Sequence, residues 1–167
     1  MSDTRTKETD EGGALVEAMT REAGFSILRR DLIPDEPLII RDTVMALATG
    51  PASTRPDAVL LTGGTGVAPR DGTVDAVAPL FARRLDGFGE LFRMLSFGEI
   101  GAAAMLSRSC AGITTDGVAV FIMPGSPAAI RLALSRLILP ELGHLVSELR
   151  RANGEHHDHE QDDDHHH

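Results

Sequence analysis

The chain has one cysteine, no tryptophan, no tyrosine and a single lysine in 167 residues. A lone Cys110 cannot close an internal disulfide or supply a thiolate metal cluster, which fits a reducing compartment and a small, buried, apolar role. The six phenylalanines are the only aromatics, a thin supply for base-stacking platforms. No apolar run approaches the ~18 residues of a membrane span, and Met1 to Glu11 is too polar for a signal-peptide core, so the expected location is the cytoplasm with no membrane partner. Histidine is also scarce where a fold would form: six of seven lie in the last stretch, 153–167. His144 alone remains, read as a structural or solvated residue on a surface helix, so no Ser/His/Asp triad can be assembled. A basic excess is missing too. The formal charge is −9, and six of the 25 acidic residues lie from Glu155 onward, leaving residues 1–154 only mildly acidic. That balance argues against a nucleic-acid partner.

What is present suits one domain of ordinary size, with 42% hydrophobic residues. The domain is read as residues 1–152. The remainder, 153-NGEHHDHEQDDDHHH-167, has no apolar residue and is expected to be a disordered acidic, His-rich tail. Its imidazoles and carboxylates could bind a transition metal loosely, but a site needs fixed geometry, and a solvated tail is the reading adopted.

Helical spacing of apolar residues marks 14–24, with Leu15, Met19 and Ala23, and 37–50, with Ile40, Val44 and Leu47. Phe, Ile and Leu over 25–33 suggest a strand closed by Pro34. The run 58-AVLLT-62 is apolar almost throughout, as in a strand covered on both faces. Beyond it, 73–85 reads as a helix that Thr73 could cap. The stretch 88–108 reads as mostly helical with a break near Ser96 to Gly98, 118–123 as a buried strand, and 128–142 as a helix that Pro140 kinks or divides. Strands alternating with helices predict an α/β fold, a three-layer α/β/α sandwich on a mainly parallel sheet, without internal repeats.

In such a sheet, ligands sit beyond the carboxyl ends of the strands. The loop 62-TGGTG-66 places Gly63, Gly64, Thr65 and Gly66 there, so an anion can approach closely spaced main-chain N–H groups. It is neither a P-loop nor a dinucleotide fingerprint. Asp71, five residues on, is suited either to capping the next helix or to holding Mg²⁺ against a triphosphate. In 34-PDEP-37, Asp35 and Glu36 precede a proline at a first helical position, where a carboxylate serves as a cap. The turn 124-PGSP-127 puts Pro124, Gly125 and Ser126 before a helix, an anion-friendly place that a simple cap also explains. Asp10, Gly12 and Gly13, with Thr4 upstream, form another such helix entry. Together these loops suggest Mg²⁺-dependent nucleotide chemistry.

At these residues the sequence resembles the MoaB/MogA family of molybdenum cofactor biosynthesis. The likeness covers nearly all of residues 2–142, through 2-SDTRT-6 with Thr9-Asp10 and Gly12-Gly13, 33-IPDE-36, 61-LTGGTG-66 with Asp71, 87-GFGELFRMLSFGEIG-101, 106-LSR-108 and 123-MPGSP-127. The wording of residues 87–101 is nearer to MoaB than to MogA proteins. The resemblance implies a molybdopterin adenylyltransferase that moves AMP from ATP to molybdopterin and releases pyrophosphate, with Mg²⁺, in a homotrimer or hexamer that hands its product to a MoeA-like insertion protein. By carry-over, Asp71 and Asp35 are the catalytic carboxylates and the Mg²⁺ ligands. Gly63, Gly64, Thr65 and Gly66 face phosphate; Pro124, Gly125 and Ser126 complete the nucleotide or pterin pocket; Thr4, Asp10 and Gly13 contact substrate.

Two departures from the family stand out. Its members open with a strand before the SDTRT-like loop, which here starts at Ser2, so a strand of roughly eight residues is expected to be missing, with its neighbours' backbone groups left unpaired. A start codon placed too far downstream, or a truncation, would explain that. Some MoaB proteins also lack adenylyltransferase activity. The alternatives are therefore a non-catalytic molybdopterin-binding scaffold of the same pathway and a related nucleotide hydrolase, which would cleave ATP or a dinucleotide without any pterin.

Overall fold

The computed structural model describes residues 10–161. Its strands β1 (Ala58–Thr62), β2 (Phe81–Arg84), β3 (Cys110–Thr114) and β4 (Ala119–Met123) form one sheet in the order β1-β4-β3-β2. The helices are α1 (Glu11–Glu22), α2 (Pro37–Thr49), α3 (Thr73–Val77), α4 (Asp86–Ile100), α5 (Pro127–Ala133) and α6 (Leu139–Gln161).

Side chains alternate along β4, and the alternation builds the layers. Ala119, Phe121 and Met123 join one apolar cluster with Phe88 and Phe92 of α4, Ile130 of α5 and Leu142 of α6; Leu15, Val16 and Met19 of α1 pack on it. Val118, Val120 and Ile122 face the other way, onto Ile40, Val44 and Ala48 of α2 and Ala76 and Val77 of α3. Helices thus cover both faces, as the α/β/α expectation has it. Phe92 is 1% exposed, stacks on Phe88 at 6.1 Å, and Phe88 meets Phe121 edge-on at 5.3 Å. Truncating a buried phenylalanine of this kind costs about 3–5 kcal/mol.

The sheet is mixed, which corrects the mainly parallel expectation. Only β1 and β4 pair in parallel; β3 pairs antiparallel with β4 and with β2. A tight turn decides the first of these reversals. Gly117 has φ +83° and donates its N–H to Thr114 O, while the Thr114 hydroxyl accepts from Val118 N–H, closing a β3–β4 hairpin that parallel strands could not use.

Other elements also differ from the sequence reading. The helix expected over 73–85 stops at Val77; a 3₁₀ turn with Pro79 follows, and residues 81–84 become β2 because β3 offers a partner. The break expected near Ser96 comes at Gly101 instead, where φ +68° suits glycine. Residues 25–33 are not a strand, and Leu28 is 67% exposed. A strand needs a hydrogen-bonded neighbour, and among the described residues this segment pairs with no strand, while β1 pairs only with β4 and keeps its outer edge open. No described strand precedes α1.

The helical path over 128–142 is divided as expected, just ahead of Pro140. A π-helical turn over Leu134–Ile138 joins α5 to α6, and Pro140 falls in the first turn of α6, where its missing N–H matters least. The boundary read at 152/153 does not coincide with an element end, because α6 continues to Gln161. Adding residues to a nucleated helix is far cheaper than starting one. Residues 162–167 lie outside the described ones.

Candidate functional site

Two loops leave the carboxyl ends of the parallel pair, 63–72 after β1 and 124–126 after β4, and the entry of α1 comes up beside them. Glycines line the seam between the three. A Cβ on Gly12 would stand 3.4 Å from Gly125 O, and one on Gly125 would stand 3.6 Å from Gly63 Cα. Gly63 and Gly64 have φ of +92° and +68°, a left-handed backbone that other residues rarely adopt. Gly63 N–H donates to Met123 O, which ties the first loop to the end of β4.

Past Gly64 the loop folds on itself. Thr73 N–H donates to Gly64 O, and a methyl on Gly64 would overlap the Thr73 hydroxyl. Asp71 and Ala68 exchange two bonds: Asp71 N–H to Ala68 O at 2.9 Å, and Ala68 N–H to Asp71 Oδ2 at 3.1 Å. Asp71 therefore caps a turn of its own loop. The N-cap of α3 is Gly72, with no side-chain bond, so neither Asp71 nor Thr73 caps that helix as expected. A Cβ on Gly66 would lie 2.6 Å from Asp71 Oδ2, so the carboxylate packs against bare backbone. The N–H groups of Gly66 and Val67 have no partner among the described residues.

The other predicted residues fall around this loop in different ways. Asp35 lies half-buried in the turn before α2, while Glu36 is the N-cap of α2 and makes no side-chain bond. Pro37 brings that turn to the loop, its ring 3.1 Å from where a Gly72 Cβ would stand. Asp10 is the N-cap of α1 and accepts from Gly13 N–H at 3.0 Å, and Ser126 accepts from Ala129 N–H at 3.3 Å. Both side chains thus have structural partners, and Gly13 is needed because a Cβ there would press on the Asp10 carboxyl. Thr65 is buried beneath the loop. Thr4 lies outside the described residues.

Sequence reasoning assigned no role to Arg108, although 106-LSR-108 was part of the resemblance. Its Nε donates to Gly66 O at 2.9 Å, Nη2 to Asp71 O at 2.6 Å and Nη1 to both carboxylate oxygens of Asp75, while its main-chain N–H donates to Thr65 O. The bond to Asp75 raises the guanidinium above its usual pKa, so it stays cationic. Gly12, read only as part of a helix entry, seats α1 on Gly125.

The far end of the sheet differs. A shallow cavity of about 200 Å³ there is lined by Arg55, Asp57, Asp116, Val118, Leu149 and Arg150. Arg55 is bound to Gly50 O and Asp116 O, and Arg150 to Asp57, so its cations are already engaged. On the flank, α4 and the 3₁₀ turn Gly101–Leu106 leave Leu91, Met94, Phe97, Ile100, Met105 and Leu106 exposed, Met105 at 77%. The first four recur every third residue, one continuous apolar stripe.

Residues 1–144 match the model of a family described as a probable molybdopterin binding domain. The chain is 48% identical over 152 residues to molybdenum cofactor biosynthesis protein B of Bacillus subtilis, covering 90% of this chain and 87% of that protein. A crystal structure of a molybdenum cofactor biosynthesis protein B superposes with a TM-score of 0.84 at 46% identity, covering 90% and 91% of the two chains. The tungsten cofactor synthesizing protein MoaB of Pyrococcus furiosus superposes with a TM-score of 0.74 at 32% identity, covering 88% of each.

Proposed function

The chain belongs to the MoaB/MogA family of molybdenum cofactor biosynthesis proteins, and from that premise we propose that it is a molybdopterin adenylyltransferase. An oxygen of the terminal phosphate of molybdopterin attacks the α-phosphorus of ATP. The bond from that phosphorus to the β-phosphate oxygen breaks, pyrophosphate leaves, and adenylyl-molybdopterin remains. No protein nucleophile is needed, because the substrate supplies it; positioning and neutralisation of charge are the protein's work.

The observation that carries this reading is the glycine floor at the ends of β1 and β4, with two adjacent unpartnered amides, Gly66 and Val67, beside a carboxylate. Polyphosphate is the ligand that such a surface accepts closely. The donor set fits Mg²⁺ by its chemistry: Asp71 and Asp35 offer hard carboxylate oxygens, and Mg²⁺ takes one or two carboxylates together with waters and substrate phosphates. Asp71 and Asp35 would hold it, and it would supply positive charge against the triphosphate. Pro124, Gly125 and the Ser126 turn bound the pocket on the β4 side.

The apolar stripe on α4 supports self-association. An exposed face of this continuity marks an interaction surface, and a second copy would bury it in the proposed homotrimer or hexamer. Charge placed at its centre by Phe97→Asp should shift the protein toward monomer, as read by light scattering. No described helix is long and apolar enough to cross a membrane, which is compatible with work in the cytoplasm and with hand-over to a MoeA-like insertion protein.

Pyrophosphate release from ATP and Mg²⁺, with and without molybdopterin, tests the reading. Release should require the pterin, and Asp71→Asn should lower turnover by about 100-fold or more while leaving pterin affinity within about threefold. Pterin binding without release by the wild type would give the pathway role to a non-catalytic scaffold. ATP cleavage without pterin would identify a hydrolase.

A further inference from the structure

We propose that Arg108 is a positioning residue that turns two of the free amides of the β1 loop, those of Gly66 and Val67, toward the substrate phosphates. The inference rests on the adenylyltransferase reading for its substrate but on backbone geometry for its mechanism. In a trans peptide the C=O and the following N–H point in opposite directions, and the chain has no cis peptide among the described residues. Arg108 holds Thr65 O through its main-chain N–H at 2.7 Å and Gly66 O through Nε at 2.9 Å. The N–H groups in those same two peptide planes belong to Gly66 and Val67. Each is therefore aimed away from Arg108, and neither has a partner among the described residues.

The rest of the side chain fixes the fork that does this. Nη2 binds Asp71 O at the far end of the loop, and Nη1 is anchored on both oxygens of Asp75 in α3. One guanidinium thus spans the loop from Gly66 to Asp71 and sets the Val67 amide and the backbone that carries the Asp71 carboxylate, while the main-chain N–H of the same residue sets the Gly66 amide. Because Nε, Nη1 and one N–H of Nη2 are engaged with carbonyls and with Asp75, the role proposed for Arg108 is to act through the loop. A lysine offers one compact ammonium and cannot reproduce a planar fork with three separate acceptors.

Four proteins test this: wild type, Arg108→Met, Arg108→Lys and Asp75→Asn, each first checked for folding by its melting curve. In Arg108→Met, hydrogen exchange of the bonded amides of the loop, Ala68, Asp71 and Thr73, should quicken by about tenfold while β4 is unchanged. The KM for ATP·Mg should rise by about tenfold or more, with the KM for molybdopterin within about twofold. Arg108→Lys should behave like the methionine variant, and Asp75→Asn should fall between it and wild type.

Unchanged loop exchange in Arg108→Met would overturn the proposal. So would full rescue of the ATP·Mg KM by lysine, which would make Arg108 a simple counter-charge. If the methionine variant does not fold, the lysine and Asp75 variants decide the same question. A wild type that releases no pyrophosphate would remove the adenylyltransferase reading alone. Loop exchange, and the affinity for ATP·Mg measured directly, would still decide the role of Arg108.

Discussion

The loops after β1 and β4 lie side by side, yet they are supported in opposite ways. The β4 loop is self-sufficient: Pro124, Gly125 and Pro127 set the turn, and Ser126 caps the helix it enters, all within a few residues. The β1 loop is not. It depends on left-handed glycines, on a threonine nine residues beyond Gly64, and on an arginine more than 40 residues downstream. The first arrangement gives a rigid wall from local chemistry. The second leaves main-chain amides uncovered, at the cost of needing support from outside, and that is the loop on which the proposed phosphate site is built.

Moving one methyl between the loops is the sharpest way to break this comparison. Gly64→Ala must hold a φ of +68° and overlap Thr73, two penalties at once. The left-handed backbone alone costs roughly 1–2 kcal/mol, and displacement of Thr73 adds to it. Gly125→Ala places its Cβ 3.6 Å from Gly63 Cα, ordinary contact distance, on a backbone with no positive φ. The expected outcome is a Gly64 variant that melts several degrees lower and loses pyrophosphate release, beside a Gly125 variant close to wild type in melting. Equal losses would show that the two loops are equally constrained.

The same contrast explains what was legible in the sequence. β1, β4 and the glycine motif at the end of β1 were readable because apolar runs and glycines act locally. So was the two-sided core. The fork of Arg108 was not readable, since nothing near residue 108 announces that its partners are Gly66, Asp71 and Asp75. β2 was lost for a related reason: 81–84 continues a helical pattern and becomes a strand only because β3 pairs with it. β3 itself carried a usable signal, the Asp116-Gly117 turn between two apolar runs, which marks a hairpin. The converse error was 25–33, where strand-forming residues pair with no strand among the described residues.

A smaller effect is expected in the β4 loop. The Ser126 hydroxyl is already used as a cap, so Ser126→Ala should lower stability by about 0.5–1 kcal/mol, the low end for such caps because the bond is long at 3.3 Å. Its KM for ATP·Mg should stay within about twofold. Denaturant melts and steady-state rates on one preparation separate the two. A large rise in KM with unchanged stability would mean that this loop also presents a side chain to the substrate, and that the contrast with β1 is one of degree.

The smallest expected effect lies beside the support of the β1 loop. Cys110 begins β3 two residues after Arg108, and burial pushes its thiol above the ordinary value of 9.0 despite the nearby Arg84, Arg93 and Arg108. The folded state therefore keeps this proton to higher pH than the unfolded state does. Its contribution to stability is fully present below pH 9.0 and declines as pH rises through the folded value. Cys110→Ala removes that titration, so its melting temperature should fall less steeply than that of the wild type as pH rises above 9.0 while paralleling it below. If hydrogen exchange of the 63–72 loop also quickens in this range in the wild type alone, strain at β3 is reaching the loop through Arg108. If the loop is indifferent while the melting temperature falls, the arginine fork insulates the site from the strand that carries it.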